Sequence, residues 1–269
     1  MVTEQAAAGR VVTIDPIDGG RWTSLWLAGR EWLWAGPGLL AGPRAGLATF
    51  IDAGGLDECF PTVRGTPDHG GLWNQPWDTT VTYDDAILTR AFTPGTDTVT
   101  VDYRLQAPAG FRFIWAAHAL LDCAVGTTLS VPGGTVCRLY PEAAPLLPWT
   151  WPDDAPWVAT PWPTPLDLTT YGPSDGTAVG GVLVDCPTVS VRDRGAELTL
   201  TLSCPRQPVS TAFWRNLGGF PDEAPYRSLG VEPMLGRVFD LAEAGPDDAA
   251  VVPANGELTW RLTFSARPV

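Results

Sequence analysis

The sequence predicts an all-β protein in which antiparallel sheets pack as a sandwich. Several segments alternate apolar and polar residues with a period of two, which is typical of strands with one buried face. In residues 98–105 the apolar positions are Val99, Val101, Tyr103 and Leu105. Turns rich in Gly and Pro separate such segments, and helical periodicity is nearly absent. Strands in series without intervening helices favour antiparallel packing.

The predicted strands follow one another along the whole chain. They cover residues 11–15, 22–27, 86–92, 98–105, 112–121, 181–184, 198–204, 211–216 and 258–264. Residues 236–244 alone have a pattern that allows a short turn of helix. No change in composition and no internal repeat divides the sequence, so we expect a single domain over residues 1–269.

Composition and charge exclude several classes of partner. The formal net charge of -13 disfavours nucleic acid and anionic membrane surfaces, which both attract basic proteins. No apolar run approaches the length of about 18 residues that a membrane helix needs. Residues 1–10 do not have the pattern of a signal peptide, so we expect a soluble, cytoplasmic protein.

The five cysteines indicate neither a disulfide framework nor a zinc site. Their number is odd, and they are widely scattered without a CxxC spacing. Reduced thiols are therefore expected. The sequence also lacks the nucleophile elbow of serine hydrolases and the glycine-rich loops that bind phosphates. We expect no metal and no organic cofactor.

Residues 141–176 depart from the strand pattern. They contain nine prolines interleaved with Trp149, Trp151, Trp157 and Trp162. Proline cannot donate to a sheet ladder, so this segment is irregular or at most an edge strand. It either covers a sheet edge or forms a wall of a ligand site.

Residues 54–77 concentrate polar groups beside flat apolar rings. They include two adjacent carboxylates, Asp57 and Glu58, together with Arg64, His69 and tryptophans at positions 73 and 77. A surface loop pinned to the core by its tryptophans would explain this composition. A site for a small polar ligand with apolar faces, such as a sugar, would explain it as well, because loops frequently carry function.

The two histidines and one late glutamate are the candidates for acid–base chemistry. His118 lies in a mostly apolar predicted strand, where a hydrogen-bonded core histidine is the common alternative. Glu232 lies at an apparent strand end, where it would otherwise be a surface charge. Histidine both gives and takes a proton near neutral pH, which suits it to this role.

The order of these residues resembles the aldose 1-epimerase, or galactose mutarotase-like, family. The shared order is His69-Gly70, then a histidine in a strand (His118), then Glu232-Pro233. Residues 19–25 and 29–34 are similar to the opening hairpin of that family, 115–121 to its histidine strand and 258–260 to its closing strand. The likeness runs over nearly the whole chain and implies an antiparallel β-supersandwich.

The resemblance also implies an activity, the interconversion of the α and β anomers of a free sugar. Glu232 would take the proton from the C1 hydroxyl, and His118 would protonate the ring oxygen. The ring would open to the aldehyde, and reclosure after rotation at C1 would give either anomer. His69 would assist and, with Arg64, would bind sugar oxygens.

The substrate-binding residues are less well matched to the family. Its members carry an Asn and an Arg well before the first histidine, whereas Arg64 lies close to His69 here. Asp57 and Glu58 are candidates for a further carboxylate. The candidates for a stacking tryptophan are Trp73, Trp77 and Trp214. Phosphorylated sugars are less expected, because Arg64 is the single basic residue in 54–77 that could pair with a phosphate. Arg215 could join it.

Two other functions remain open from the sequence. A carbohydrate-binding protein could keep the fold without the chemistry, as the tryptophan content suggests. A glycoside hydrolase could use Glu58 and Glu232 as paired carboxylates, which requires a separation of about 5–9.5 Å across a cleft.

Overall fold

The computed structural model describes residues 11–38 and 42–269 and is almost wholly antiparallel β-structure. Within these ranges there are twenty strands and two short 3₁₀ turns. No helix in them has the length and apolar character needed to cross a membrane. The expectation about a signal peptide concerns residues 1–10, which lie outside the described residues.

The strands are numbered in chain order. The first ten are β1 (Val12–Asp15), β2 (Arg21–Leu27), β3 (Arg30–Glu31), β4 (Leu56–Cys59), β5 (Thr80–Tyr83), β6 (Ala86–Pro94), β7 (Thr98–Gln106), β8 (Arg112–Phe113), β9 (Trp115–Leu121) and β10 (Thr127–Ser130). The others are β11 (Val136–Leu139), β12 (Val158–Pro161), β13 (Thr170–Tyr171), β14 (Thr177–Val184), β15 (Thr188–Asp193), β16 (Ala196–Ser203), β17 (Val209–Phe220), β18 (Tyr226–Leu235), β19 (Ala250–Val251) and β20 (Glu257–Pro268). The 3₁₀ turns cover Pro141–Leu146 and Leu241–Glu243.

Two large sheets face each other across the main core. The larger sheet has ten strands in the order β1-β2-β4-β9-β18-β17-β14-β11-β12, with β3 joined to β2 as a hairpin. The smaller has eight strands in the order β13-β10-β15-β16-β20-β7-β6-β5. The named strands of both sheets pair antiparallel, which confirms the predicted sandwich of antiparallel sheets.

Alternation in the sequence sets which side chains enter this core. In β7 and β20 the apolar positions face one another in register: Val99 opposite Phe264, Val101 opposite Leu262, Tyr103 opposite Trp260 and Leu105 opposite Leu258. All eight are buried. Because successive side chains point to opposite faces of a strand, this pattern leaves the polar residues between them on the outer face.

Three sequence-based expectations need revision or refinement. The predicted strand over residues 112–121 is two strands, since the backbone N–H of Ile114 leaves the ladder and donates to Pro61 O. Residues 54–77 include a buried strand, β4, in addition to loop. Residues 141–176 contain one short 3₁₀ turn and two edge strands, with β12 at the edge of the larger sheet and β13 at the edge of the smaller. Part of this segment therefore covers sheet edges, by pairing with β11 and β10.

A buried ion pair connects the two sheets. Glu58 in β4 points into the space between them, where it accepts hydrogen bonds from Arg90 Nη1 (2.7 Å), Tyr103 Oη (3.0 Å) and Trp115 Nε1 (3.2 Å). Arg90 belongs to β6 of the smaller sheet and also donates to Gly20 O and Asp78 O. Both charged side chains are essentially inaccessible to solvent. A buried carboxylate is tolerated only when it is paired and hydrogen-bonded, so this network couples the sheets.

We predict that Arg90→Met destabilises the protein by about 3–5 kcal/mol, because Glu58 would stay buried without its cation. Urea denaturation measures the change in the free energy of unfolding. Arg104→Met is the control, since the pair of Arg104 with Glu257 is exposed and its removal should leave the midpoint unchanged. Equal midpoints for Arg90→Met and the wild type would contradict this role.

Candidate active site

A cavity of about 630 Å³ opens on the face of the larger sheet that points away from the smaller sheet. Its volume lies within the usual range for small-molecule sites, about 300–1,000 Å³. His118, Trp214 and Glu232 contribute its floor from β9, β17 and β18. These are central strands of the sheet, so the floor is part of the rigid scaffold.

Strand register brings the two proposed catalytic residues together. In the pairing of β9 with β18, Leu120 lies opposite Gly230 and Ala116 lies opposite Met234. The same register places Glu232 opposite His118, with both side chains on the cavity face. Their nearest atoms, His118 Nδ1 and Glu232 Oε1, are 3.0 Å apart. The sequence suggested a strand end for Glu232, whereas the structure places it inside β18.

The carboxylate controls the charge of the histidine. Burial lowers the pKa of His118, but the facing carboxylate of Glu232, with smaller contributions from Asp52 and Asp57, outweighs it and raises the pKa to about 9. The distance is that of an ion pair, and among the described residues Nδ1 has no well-aligned hydrogen-bond partner. At neutral pH the cavity floor thus has a protonated imidazole beside a carboxylate.

Two glycines make room on this floor. Trp214 pairs with Gly230 of β18 on one side and with Gly180 of β14 on the other. A Cβ atom at position 230 would lie 2.6 Å from Glu232 Oε1, and one at position 180 would lie 2.8 Å from Arg64 Nη2. The absence of side chains at these positions therefore admits the carboxylate and the arginine into the cavity.

His69 forms one wall beside the pair. It adopts a left-handed backbone conformation (φ 58°), and its N–H donates to Val63 O. Its ring stacks on Phe50 at 3.7 Å between centroids and meets His118 edge-on at 5.0 Å. Nδ1 lies 3.0 Å from the carboxylate of Asp68. Burial raises the pKa of Asp68, but His69 and Arg64 outweigh it and lower that pKa.

Arg64 forms a second wall of the cavity. Its guanidinium lies against the rings of Phe239 (4.5 Å) and Tyr140 (5.1 Å) and donates to the carboxylate of Glu142. Glu142 is the only described residue of the 141–176 segment that lines the cavity. The interpretation of that segment as a wall of the site is thus limited to a single side chain.

A third wall comes from residues 42–55 and the β17–β18 hairpin. Tyr226 Oη donates to Asp52 Oδ2 at 2.7 Å, which joins the two. Phe220, half-exposed at the mouth, meets Trp214 edge-on at 5.8 Å between centroids. The cavity therefore offers aromatic faces as well as hydrogen-bonding groups.

The structure brings five of the eight predicted site residues to this cavity: Arg64, His69, His118, Trp214 and Glu232. Asp57, Trp73 and Trp77 do not line it. Both oxygens of Asp57 accept from buried Arg44, at 2.6 and 2.8 Å. Trp73 supports Phe50 from behind (5.3 Å), and Trp77 packs under the guanidinium of Arg90 (3.7 Å). Their burial arises from packing and ion pairing, and none of the three reaches the cavity.

The paired carboxylates of a glycoside hydrolase are also absent at Glu58 and Glu232. Glu58 faces the smaller sheet and is bound by Arg90, whereas Glu232 faces the cavity on the opposite side of the larger sheet. That hypothesis was wrong, because adjacent residues of a strand point to opposite faces and it is Asp57, not Glu58, that shares the face of His118.

Several lining residues were missed by the sequence analysis: Phe50, Asp52, Asp68, Glu142, Phe220 and Tyr226. Asp68 could have been found, since it directly precedes His69 in a turn. The others reach the cavity through long-range pairing and carry no local signal. No cluster of three or more metal-ligating side chains occurs among residues 11–38 and 42–269.

Comparisons with known proteins find similarity in structure but not in sequence. No protein-family model and no curated protein sequence matches the chain. Among solved structures, the Slr1438 protein from Synechocystis sp. PCC 6803 superposes with a TM-score of 0.68 at 14% identity, over 96% of this chain and 92% of that one. A proposed aldose 1-epimerase from Escherichia coli K12 gives 0.65 at 14% identity, over 96% of both chains.

A galactose mutarotase-like protein from Lactobacillus casei ATCC 334 gives a TM-score of 0.59 at 13% identity, over 99% of this chain and all of that one. The chain has the galactose mutarotase-like fold. At these identities the comparisons show the fold alone, and the resemblance drawn from the sequence is supported at that level.

We predict that NMR titration of wild-type His118 gives a pKa of about 9 and that Glu232→Gln lowers it, since burial then acts without the opposing charge. A raised pKa contributes stability that is fully present below the ordinary value of 6.5 and is lost as the pH rises through about 9. The urea midpoint of the wild type should fall over that window, and less so for Glu232→Gln. Glu257→Gln, on the exposed face of β20, should change neither quantity.

Proposed function

We propose that this protein is an aldose 1-epimerase-like mutarotase, which interconverts the α and β anomers of a free sugar. Glu232 is the general base for the C1 hydroxyl, and His118 is the general acid for the ring oxygen. The observation that carries the proposal is the contact of a protonated imidazole with a carboxylate on the floor of a cavity of suitable size.

The closeness of the two groups suits this reaction. In a cyclic sugar the C1 hydroxyl and the ring oxygen are bonded to the same carbon, so an acid and a base that act on them must also be neighbours. The carboxylate takes the hydroxyl proton as the C1 carbonyl forms, and the bond from C1 to the ring oxygen breaks as that oxygen takes the imidazole proton. Rotation at C1 and reclosure with the roles reversed give the other anomer.

Other lining groups suit a sugar. Asp52, His69, Arg64 and Tyr226 present hydrogen-bonding atoms to the cavity, and Trp214 offers an indole face to the apolar side of a pyranose or furanose ring. These groups lie on three separate walls above the acid–base pair. This distribution would fix the ring with C1 over His118 and Glu232.

The second candidate is a sugar-binding protein without catalysis. The aromatic and hydrogen-bonding walls alone would serve binding, and the fold comparisons do not test activity. The two candidates differ in one measurement, the rate of anomer exchange.

We predict that Glu232→Gln and His118→Ala each slow anomer exchange by about 10²–10⁴-fold, the usual contribution of general acid–base catalysis. Exchange NMR on a panel of free aldoses measures the rate with and without protein. Glu257→Gln is the matched control, because it removes a carboxylate outside the cavity. Wild-type rates in both active-site variants would refute the mechanism, and binding by the wild type without acceleration would select the second candidate.

We predict that Trp214→Ala weakens sugar binding by about tenfold, since loss of an aromatic contact of about 1.4 kcal/mol corresponds to that factor. The effect should appear in KM and in calorimetric affinity, with a smaller change in kcat. Trp149→Ala removes an exposed tryptophan outside the cavity and serves as the control. Unchanged affinity in Trp214→Ala would remove this residue from the binding surface.

A further inference from the structure

We infer that Glu142 is a specificity-determining residue: by binding Arg64 it restricts the cavity to sugars without a negative charge. The inference rests on the proposed function and narrows its substrate class to uncharged aldoses, as opposed to sugar phosphates and uronic acids. Arg64 is the single arginine among the described residues that line the cavity. Its availability therefore decides whether an anionic substituent finds a partner.

The structure fixes the pair of Arg64 and Glu142 in several ways. The guanidinium lies against the rings of Phe239 and Tyr140, and Tyr140 Oη accepts a hydrogen bond from the backbone N–H of Phe239 (3.0 Å). Glu142 is carried by the 3₁₀ turn Pro141–Leu146, whose first residue is a proline. The pair is partly exposed, but the rings restrict Arg64 and the turn restricts Glu142, unlike an ion pair between two freely moving surface side chains.

Gly180 provides the space that the pair occupies. A Cβ atom at this position would lie 2.8 Å from Arg64 Nη2 and 2.9 Å from Glu142 Oε1, so both charged groups rest directly over β14. Any larger residue at position 180 would displace one of them. The strand, the turn and the aromatic rings therefore all place this carboxylate on this arginine.

The remaining charges of the cavity also oppose an anion. Four carboxylates line it, those of Asp52, Asp68, Glu142 and Glu232. The positive charges that oppose these carboxylates are already paired: Arg64 is bound to Glu142, and His118 contacts Glu232. A phosphate or a carboxylate on the ligand would meet paired cations and additional negative charge, which is a repulsive arrangement. The hydroxyls of an uncharged sugar, in contrast, donate to carboxylate oxygens.

No other arginine among residues 11–38 and 42–269 lines the cavity and could replace Arg64 in this role. Arg215 lies in β17, next to Trp214. Its guanidinium is 3.5 Å from Asp175 Oδ2 and donates to Thr177 Oγ1 at 3.1 Å. Arg44 is buried behind the wall and bound to two aspartates. Neither side chain lines the cavity. The expectation that Arg215 could join Arg64 is therefore not met at this cavity.

Ligand-observed NMR tests the inference with D-glucose and D-galactose, each compared with its 6-phosphate and its uronate. The wild type should bind the uncharged member of each set more tightly. In Glu142→Gln, which frees Arg64, the ratio of anionic to uncharged affinity should rise by about tenfold. Glu142→Asp keeps the charge and should restore the discrimination. Glu243→Gln removes an exposed carboxylate outside the cavity and should leave the ratio unchanged.

A second measurement needs no variant. If the discrimination is electrostatic, the wild-type ratio of anionic to uncharged affinity should rise as salt is added. The added ions screen exposed and half-exposed charges and so weaken the repulsion of the anionic ligand. The salt dependence of the wild type keeps the test decisive if Glu142→Gln fails to fold. The thermal midpoint of Glu142→Gln reports whether it folds.

Three results would overturn the inference: tighter wild-type binding of an anionic member, no binding of any member, or a ratio that neither Glu142→Gln nor salt changes. Failure of the proposed function is a separate outcome. Binding without faster anomer exchange of any sugar would refute the mutarotase activity, while the affinity ratios from the same samples would still decide the role of Glu142.

Discussion

The pairing of two adjacent buried carboxylates underlies both the fold and the cavity. Asp57 and Glu58 lie side by side in β4 and point to opposite faces of the larger sheet, and neither can remain charged there without a cation. Glu58 forms an ion pair with Arg90 of the smaller sheet, and this pair fixes one sheet on the other. Asp57 takes Arg44, which anchors residues 42–55 and so positions Phe50 and Asp52 at the cavity.

This arrangement explains how a second pair of charged side chains, His118 and Glu232, can be placed on the sheet without loosening it. His118 and Glu232 lie on central strands whose other face packs in the main core, so their backbones have little freedom. Their mutual contact satisfies each charge where water is scarce, which is where electrostatic interactions are strongest. The two floor residues are thus held by the sheet. The wall residues come from loops, a 3₁₀ turn and the tip of the β17–β18 hairpin, and side-chain contacts hold them in place.

The sequence predicted the fold class, the floor residues of the cavity and two of its wall residues, His69 and Arg64, but not the other wall residues. Alternation in 98–105 and 258–264 found strands because those strands have one buried face, whereas β4 and β18 are buried on both faces and carry no alternation. His118 and Glu232 were found through their order along the chain. Tyr226 and Glu142 reach the cavity only through the tertiary fold. Adjacency in a strand puts Asp57 and Glu58 on opposite faces, but which of them shares the face of His118 depends on the pairing of β4 with β9.

The β17–β18 hairpin is long, and only its tip, near Phe220 and Tyr226, reaches the cavity mouth. Glu232 lies further along β18, on the cavity floor. Its two strands are paired over most of their length, so insertions or deletions at the tip would be absorbed before the register at Glu232 is disturbed. The residues at the cavity mouth can therefore change along this hairpin while the residues of the cavity floor stay in place. In the proposed mutarotase, exchanging the hairpin tip would alter which sugars enter the cavity and would keep Glu232 in its position.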